Sequence, residues 1–101
     1  MSDAYQWWLT ALGRTVVWAG LREMPAGTAQ VIDSDGNLLA YDSVDSARAS
    51  LLDADFTELA GMDDSDLESL GLLYEELRIP QGDSPDDLHP QLVQQLPRAR
   101  Q

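Results

Sequence analysis

The chain has 101 residues, 44% of them hydrophobic, with eighteen acidic and six basic residues and a formal net charge of −12. That length suits one domain with a single modest core and excludes two, while the apolar content excludes a disordered polyanion. The absence of cysteine excludes disulfides, thiolate nucleophiles and sulfur ligands for a metal.

From Ala4 to Asp42 the pattern is that of strands. Residues 5–10 and 15–21 are rich in β-branched and aromatic side chains, with Gly13-Arg14 between them, and predict a first hairpin. Pro25-Ala26-Gly27 interrupts the chain. Residues 28–32 and 38–41 then flank Ser34-Asp35-Gly36-Asn37, whose Asp-Gly pair predicts a second hairpin. Trp7 and Trp8 are neighbours on a strand, so their side chains point to opposite faces; a sheet with one wet face buries one of them and leaves the other to be covered or used in binding.

Helical spacing follows. With Asp42 or Ser43 as cap, Val44, Ala47, Leu51 and Leu52 form an apolar stripe and predict a helix over 44–53. Residues 63–70 predict a short helix ended by Gly71, its acids at the positive end of the dipole, and residues 72–77 predict a last one closed near Ile79-Pro80. From 81 to 101 prolines and Gly82 punctuate a polar tail not expected to hold one regular element. Leu88, Leu92, Val93 and Leu96 give that tail a weak apolar stripe able to dock on the sheet or on a partner. The expected architecture is α+β: an antiparallel sheet of three to four strands with one main helix packed on it and short acidic C-terminal helices, in a single domain over 1–80.

The charge is uneven. Residues 1–41 hold four acids and two arginines, residues 42–87 fourteen acids and two arginines, and residues 88–101 two arginines alone, giving −2, −12 and +2. A field of that sign repels nucleic acid and anionic lipid and steers basic surfaces inward. The partner expected is therefore a protein with a basic surface, not nucleic acid and not a membrane. No segment approaches the roughly 20 apolar residues of a membrane span, and no secretory leader pattern opens the chain; a cytoplasmic location is expected.

Candidate chemistry is thin. Asp33-Ser34-Asp35-Gly36-Asn37 resembles the start of a calcium loop, but such a loop would need its glycine where Leu38 stands and its closing glutamate where Val44 stands. His89 is the lone imidazole, without a second histidine or a cysteine to complete a metal site. No phosphate loop, nucleophile elbow or metalloprotease motif occurs. The expectation is no enzyme, no cofactor, no metal and no catalytic residue. The candidates left are the acids Asp53, Asp55, Glu58, Asp63, Asp64, Asp66, Glu68, Glu75 and Glu76. Crowding them into one stretch opposes compactness by self-repulsion.

Three stretches carry a resemblance: Val31-Ile32-Asp33-Ser34-Asp35-Gly36-Asn37, then Tyr41-Asp42-Ser43, then Ala47-Arg48-Ala49-Ser50-Leu51-Leu52-Asp53-Ala54-Asp55-Phe56. Together they resemble small bacterial immunity proteins of polymorphic-toxin and contact-dependent inhibition systems, in which a DxDG hairpin feeds a strand and an EARxxLL helix runs into an acidic loop. Ser46 stands where that pattern often carries glutamate. The resemblance implies a cognate inhibitor that covers the basic cleft of a toxin acting on nucleic acid. Tyr74 and one tryptophan would then be anchors beside the acids from Asp53 to Glu76. An acidic nucleic-acid mimic or antitoxin-like regulator, and an adaptor subunit, are the alternatives.

Overall fold

The computed structural model describes residues 5–82 and 84–96. Its frame is a six-stranded antiparallel sheet of β1 (Gln6–Leu12), β2 (Thr15–Glu23), β3 (Ala29–Ile32), β4 (Leu38–Tyr41), β5 (Thr57–Glu58) and β6 (Val93–Gln95), in the order β4-β3-β2-β1-β5 with β6 also on β2. Both predicted hairpins form. Gly13 supplies the left-handed turn of the first at φ 62°. In the second, the Asp33 carboxylate accepts from the backbone N–H of Asp35 (3.0 Å) and Asn37 (2.9 Å), which is hairpin-turn chemistry.

The α+β reading holds, but the sheet has more strands than the three or four expected. β5 is too short to announce itself. β6 comes from the tail, where no regular element was expected: it pairs antiparallel with the first half of β2, Thr15 opposite Gln95 and Val17 opposite Val93. Beyond the second half of β2, β3 takes the same side, Gly20 opposite Ile32 and Glu23 opposite Ala29. Two short strands thus lie end to end along one long one. The remaining tail forms α3 (Pro85–Leu88), with Ser84 as N-cap and Pro85 in its first turn. Residues 72–77 hold a single 3-10 turn at Tyr74–Glu76 in place of the expected helix.

Strand register sorts the side chains between two faces. Trp8 and Ala19 are opposite one another, as are Leu9 and Trp18 on the other face. Trp8, Ala19, Leu21, Ala29 and Val31 pack with Ala47 and Leu51 of α1 (Val44–Asp53). Leu9, Val16, Trp18 and Ile32 pack with Leu67 of α2 (Asp64–Ser69) and with Leu72, Leu88, Leu92 and Leu96. Both faces are covered, so the two adjacent tryptophans need not compete for one core. Trp8 is buried under α1. Trp7 is half-buried on the other face, 5.5 Å from the Tyr5 ring and edge-on to Trp18 at 6.2 Å.

The indole N–H groups of Trp8 and Trp18 are buried with no hydrogen-bond partner among the described residues. An unmade bond costs about 1–3 kcal/mol. Burying an aromatic side chain of roughly 200 Å² at about 25 cal/mol per Å² returns about 5 kcal/mol, so burial wins at each position. Gly20 makes the aromatic packing possible: a Cβ there would lie 2.9 Å from both the Trp7 and Tyr5 rings.

Candidate partner-binding surface

The local sequence decides which carboxylates are left available. Ser43 caps α1, its hydroxyl accepting from Ser46 N–H at 3.1 Å. The helix ends in a Schellman arrangement, with Phe56 N–H donating to the Leu51 carbonyl and Asp55 N–H to the Leu52 carbonyl, both 3.0 Å. Asp55 occupies the left-handed position at φ 67° that glycine usually takes. α2 ends the same way, with Gly71 in that position and Leu72 N–H donating to the Leu67 carbonyl at 2.9 Å. At its start Asp63 and Asp66 exchange bonds, each carboxylate accepting the other's backbone N–H at 2.9 and 3.1 Å.

The candidate acids thereby separate into two kinds. Asp63 and Asp66 hold the start of α2. Glu58 shares the face of Trp8 on the neighbouring strand and pairs with Arg48 at 2.9 Å, while the Arg48 guanidinium lies 5.2 Å from the centre of the Trp8 ring. Glu76 pairs with Arg14, and its second oxygen accepts from Leu73 N–H at 3.1 Å. The hydrogen bond from Arg14, the largest influence, together with that from Leu73 N–H and the charge of Arg14 outweighs desolvation and holds the Glu76 carboxyl below its ordinary value. Asp53, Asp55, Asp64, Glu68 and Glu75 are exposed, and their side chains make no hydrogen bond or ion pair among the described residues.

The acids do not form one flat face. Asp53 and Asp55 lie at the end of α1, on the Trp8 side of the sheet. Asp64, Glu68 and Glu75 belong to the layer over Trp18, so the run wraps around the β5 edge. Asp64, Glu68 and Glu75 line a concavity of about 180 Å³ together with Leu72 and Leu73. Leu72 is buried and Leu73 is 49% exposed. A rim of carboxylates over an apolar floor accommodates a side chain with an aliphatic stem and a cationic head. Glu75 also borders a neighbouring hollow lined by Glu76, Arg78 and Gln94.

The arginines sharpen this asymmetry. Arg14 and Arg48 are in ion pairs, and Arg22 donates to the Gln30 side chain and lies over the Tyr5 ring. Three of the chain's six basic residues are therefore engaged in contacts of the fold itself. No group of three or more His, Asp or Glu side chains among the described residues could hold a metal ion. Among the same residues no helix is long and apolar enough to cross a membrane.

Of the expected anchors, the tryptophans change status. Trp8 and Trp18 are fully buried and Trp7 packs within a core cluster, so the tryptophans serve the sheet because both its faces are covered. Tyr74 opens the 3-10 turn, and its side chain lies outside the described residues. Sequence reasoning missed Leu73. Its signal was the Leu72-Leu73 pair, of which a single face can bury one.

Comparison of the chain with known protein families, with characterised proteins and with solved structures gives no match.

Proposed function

We propose that this chain is an immunity protein: it binds a cognate toxin domain with a basic, nucleic-acid-holding cleft and neutralises it by contact, with no chemistry of its own. The observation that supports this reading best is the concavity bounded by Asp64, Glu68 and Glu75 over Leu72 and Leu73. Its carboxylates are exposed beside leucines and make no hydrogen bond or ion pair among the described residues. Steering by the net charge of −12 raises the encounter rate, and the apolar floor gives a lysine or arginine of the partner something to pack on. Asp53 and Asp55, around the β5 edge, extend the negative field without joining that concavity.

The test is to co-express the tagged chain with the protein encoded beside it and to look for a stoichiometric, salt-sensitive complex and for rescue of growth. The triple charge reversal at Asp64, Glu68 and Glu75 should abolish rescue. A complex unaffected by that reversal would remove the acidic concavity from the account. Competition with DNA for a housekeeping protein would favour the nucleic-acid-mimic reading instead.

A further inference from the structure

An edge strand presents unpaired backbone N–H and C=O groups, and proteins ordinarily guard it with lysine, proline, a bulge or extreme shortness. Two edge strands of this sheet, those at the ends of the order β4-β3-β2-β1-β5, are treated differently. At one, β5 is two residues long and carries Glu58. At the other, β4 reads Leu38-Leu39-Ala40-Tyr41, without a charge or a proline, in unbroken one-to-one register with β3. Leu38 is 46% and Leu39 39% exposed, and Ala40 is exposed beside them. Alternate residues of such a strand direct their hydrogen-bonding groups away from the sheet.

The charges around β4 restrict what can pair with it. Asp33 and Asp35 sit in the turn that enters the strand, and Asp42 and Asp45 follow it, the last in the first turn of α1. No basic residue occurs from 29 to 45. A second copy is a poor match: antiparallel self-pairing sets the Asp42 end of one strand against the Asp35 end of the other, acid against acid at both ends, and parallel self-pairing does the same. A segment uncharged in its middle and basic at its ends meets both the open ladder and the flanking carboxylates.

The geometry points to β4 as a strand-addition site for an extended segment of a partner protein, with an uncharged middle and lysine or arginine at its ends. The site lies at the sheet edge opposite β5, around which the exposed acids wrap, and it stands whether or not the partner on that acidic side is a toxin. Backbone hydrogen bonds supply the attachment, while the end charges select the partner and orient it.

The test uses the whole chain, labelled with nitrogen-15, and a peptide of alternating valine and threonine capped at both ends by paired lysines. The expected result is a shift of the amides at 38–41, with slowed hydrogen exchange at alternate positions. The same peptide with glutamate ends, or with alternate backbone nitrogens methylated, should produce neither. The exposed-site variants Leu38→Lys and Ala40→Lys, each checked for a native spectrum elsewhere, should also abolish the response. Absence of any change at 38–41 overturns the proposal, as do shifts confined to 63–76, which would mean condensation on the acids alone. Concentration-dependent changes at β4 without peptide would assign the edge to a second copy and overturn it too.

Discussion

The guanidinium of Arg14, on the turn between β1 and β2, is ion-paired with Glu76 and also donates to the Gly71 carbonyl at 2.8 Å. One side chain thus joins the first hairpin to the segment that supports the acidic concavity. Arg14→Ala should accelerate hydrogen exchange through 71–76 more than in α1, with a small loss of overall stability. Uniform acceleration across the chain would mean that Arg14 supports the whole fold and not this segment.

The same pair gives a pH dependence of definite sign. The Glu76 carboxyl titrates below its ordinary value of 4.5 in the fold, so its contribution is full above that value and is lost as pH falls through the lower, folded one. Glu76→Gln should therefore be less stable than the parent near neutrality, the difference closing below pH 4.5. Urea midpoints measured across that range check it. A difference that persists undiminished in acid would assign the effect to packing.

Asp55 is in a left-handed conformation at φ 67°, where glycine is free of the Cβ clash. Asp55→Gly should raise stability by up to about 1 kcal/mol, by relieving that clash and local charge repulsion. The converse change at the matching position, Gly71→Asp, should lower it. Thermal unfolding of the two variants decides the matter, and a destabilised Asp55→Gly would show that its carboxylate has a structural task.

Gly20 faces the rings of Trp7 and Tyr5 at 2.9 Å from where a Cβ would stand. Gly20→Val should cost about 1–3 kcal/mol, as overpacking does. Tryptophan fluorescence should shift as the rings move.

Leu92 is completely buried in the cluster that holds Trp18, and the backbone N–H of Trp18 donates to the Leu92 carbonyl at 2.7 Å. Leu92→Ala should cost about 2–5 kcal/mol. A loss comparable to that of an exposed site such as Leu12→Ala would mean that the segment after 84 is not part of the core in solution.

Locally encoded features were legible in the sequence. The hairpins and α1 follow from turn residues, strand propensity and a cap placed within a few residues of one another, and they form where expected. β6 was not legible, since Val93-Gln94-Gln95 looks polar and joins the sheet through its backbone, opposite residues 15–17. The acids could be found from composition alone. Which of them are engaged could not, because Arg14 meets Glu76 across 62 positions and Arg48 meets Glu58 across 10, and nothing in either residue's neighbourhood announces the other.

The end-to-end placement of β3 and β6 along β2 has a consequence for biosynthesis. While the chain is being made, the first hairpin emerges early, and β3 can pair with residues 20–23 as soon as it leaves the ribosome. Residues 15–17 then wait, one side of their ladder unpaired and Val16 and Trp18 lacking Leu88, Leu92 and Leu96, until residue 95 is free. Throughout that interval the nascent chain carries an open template beside Trp18, and the like charge of residues 42–87 opposes the approach of a second copy to it.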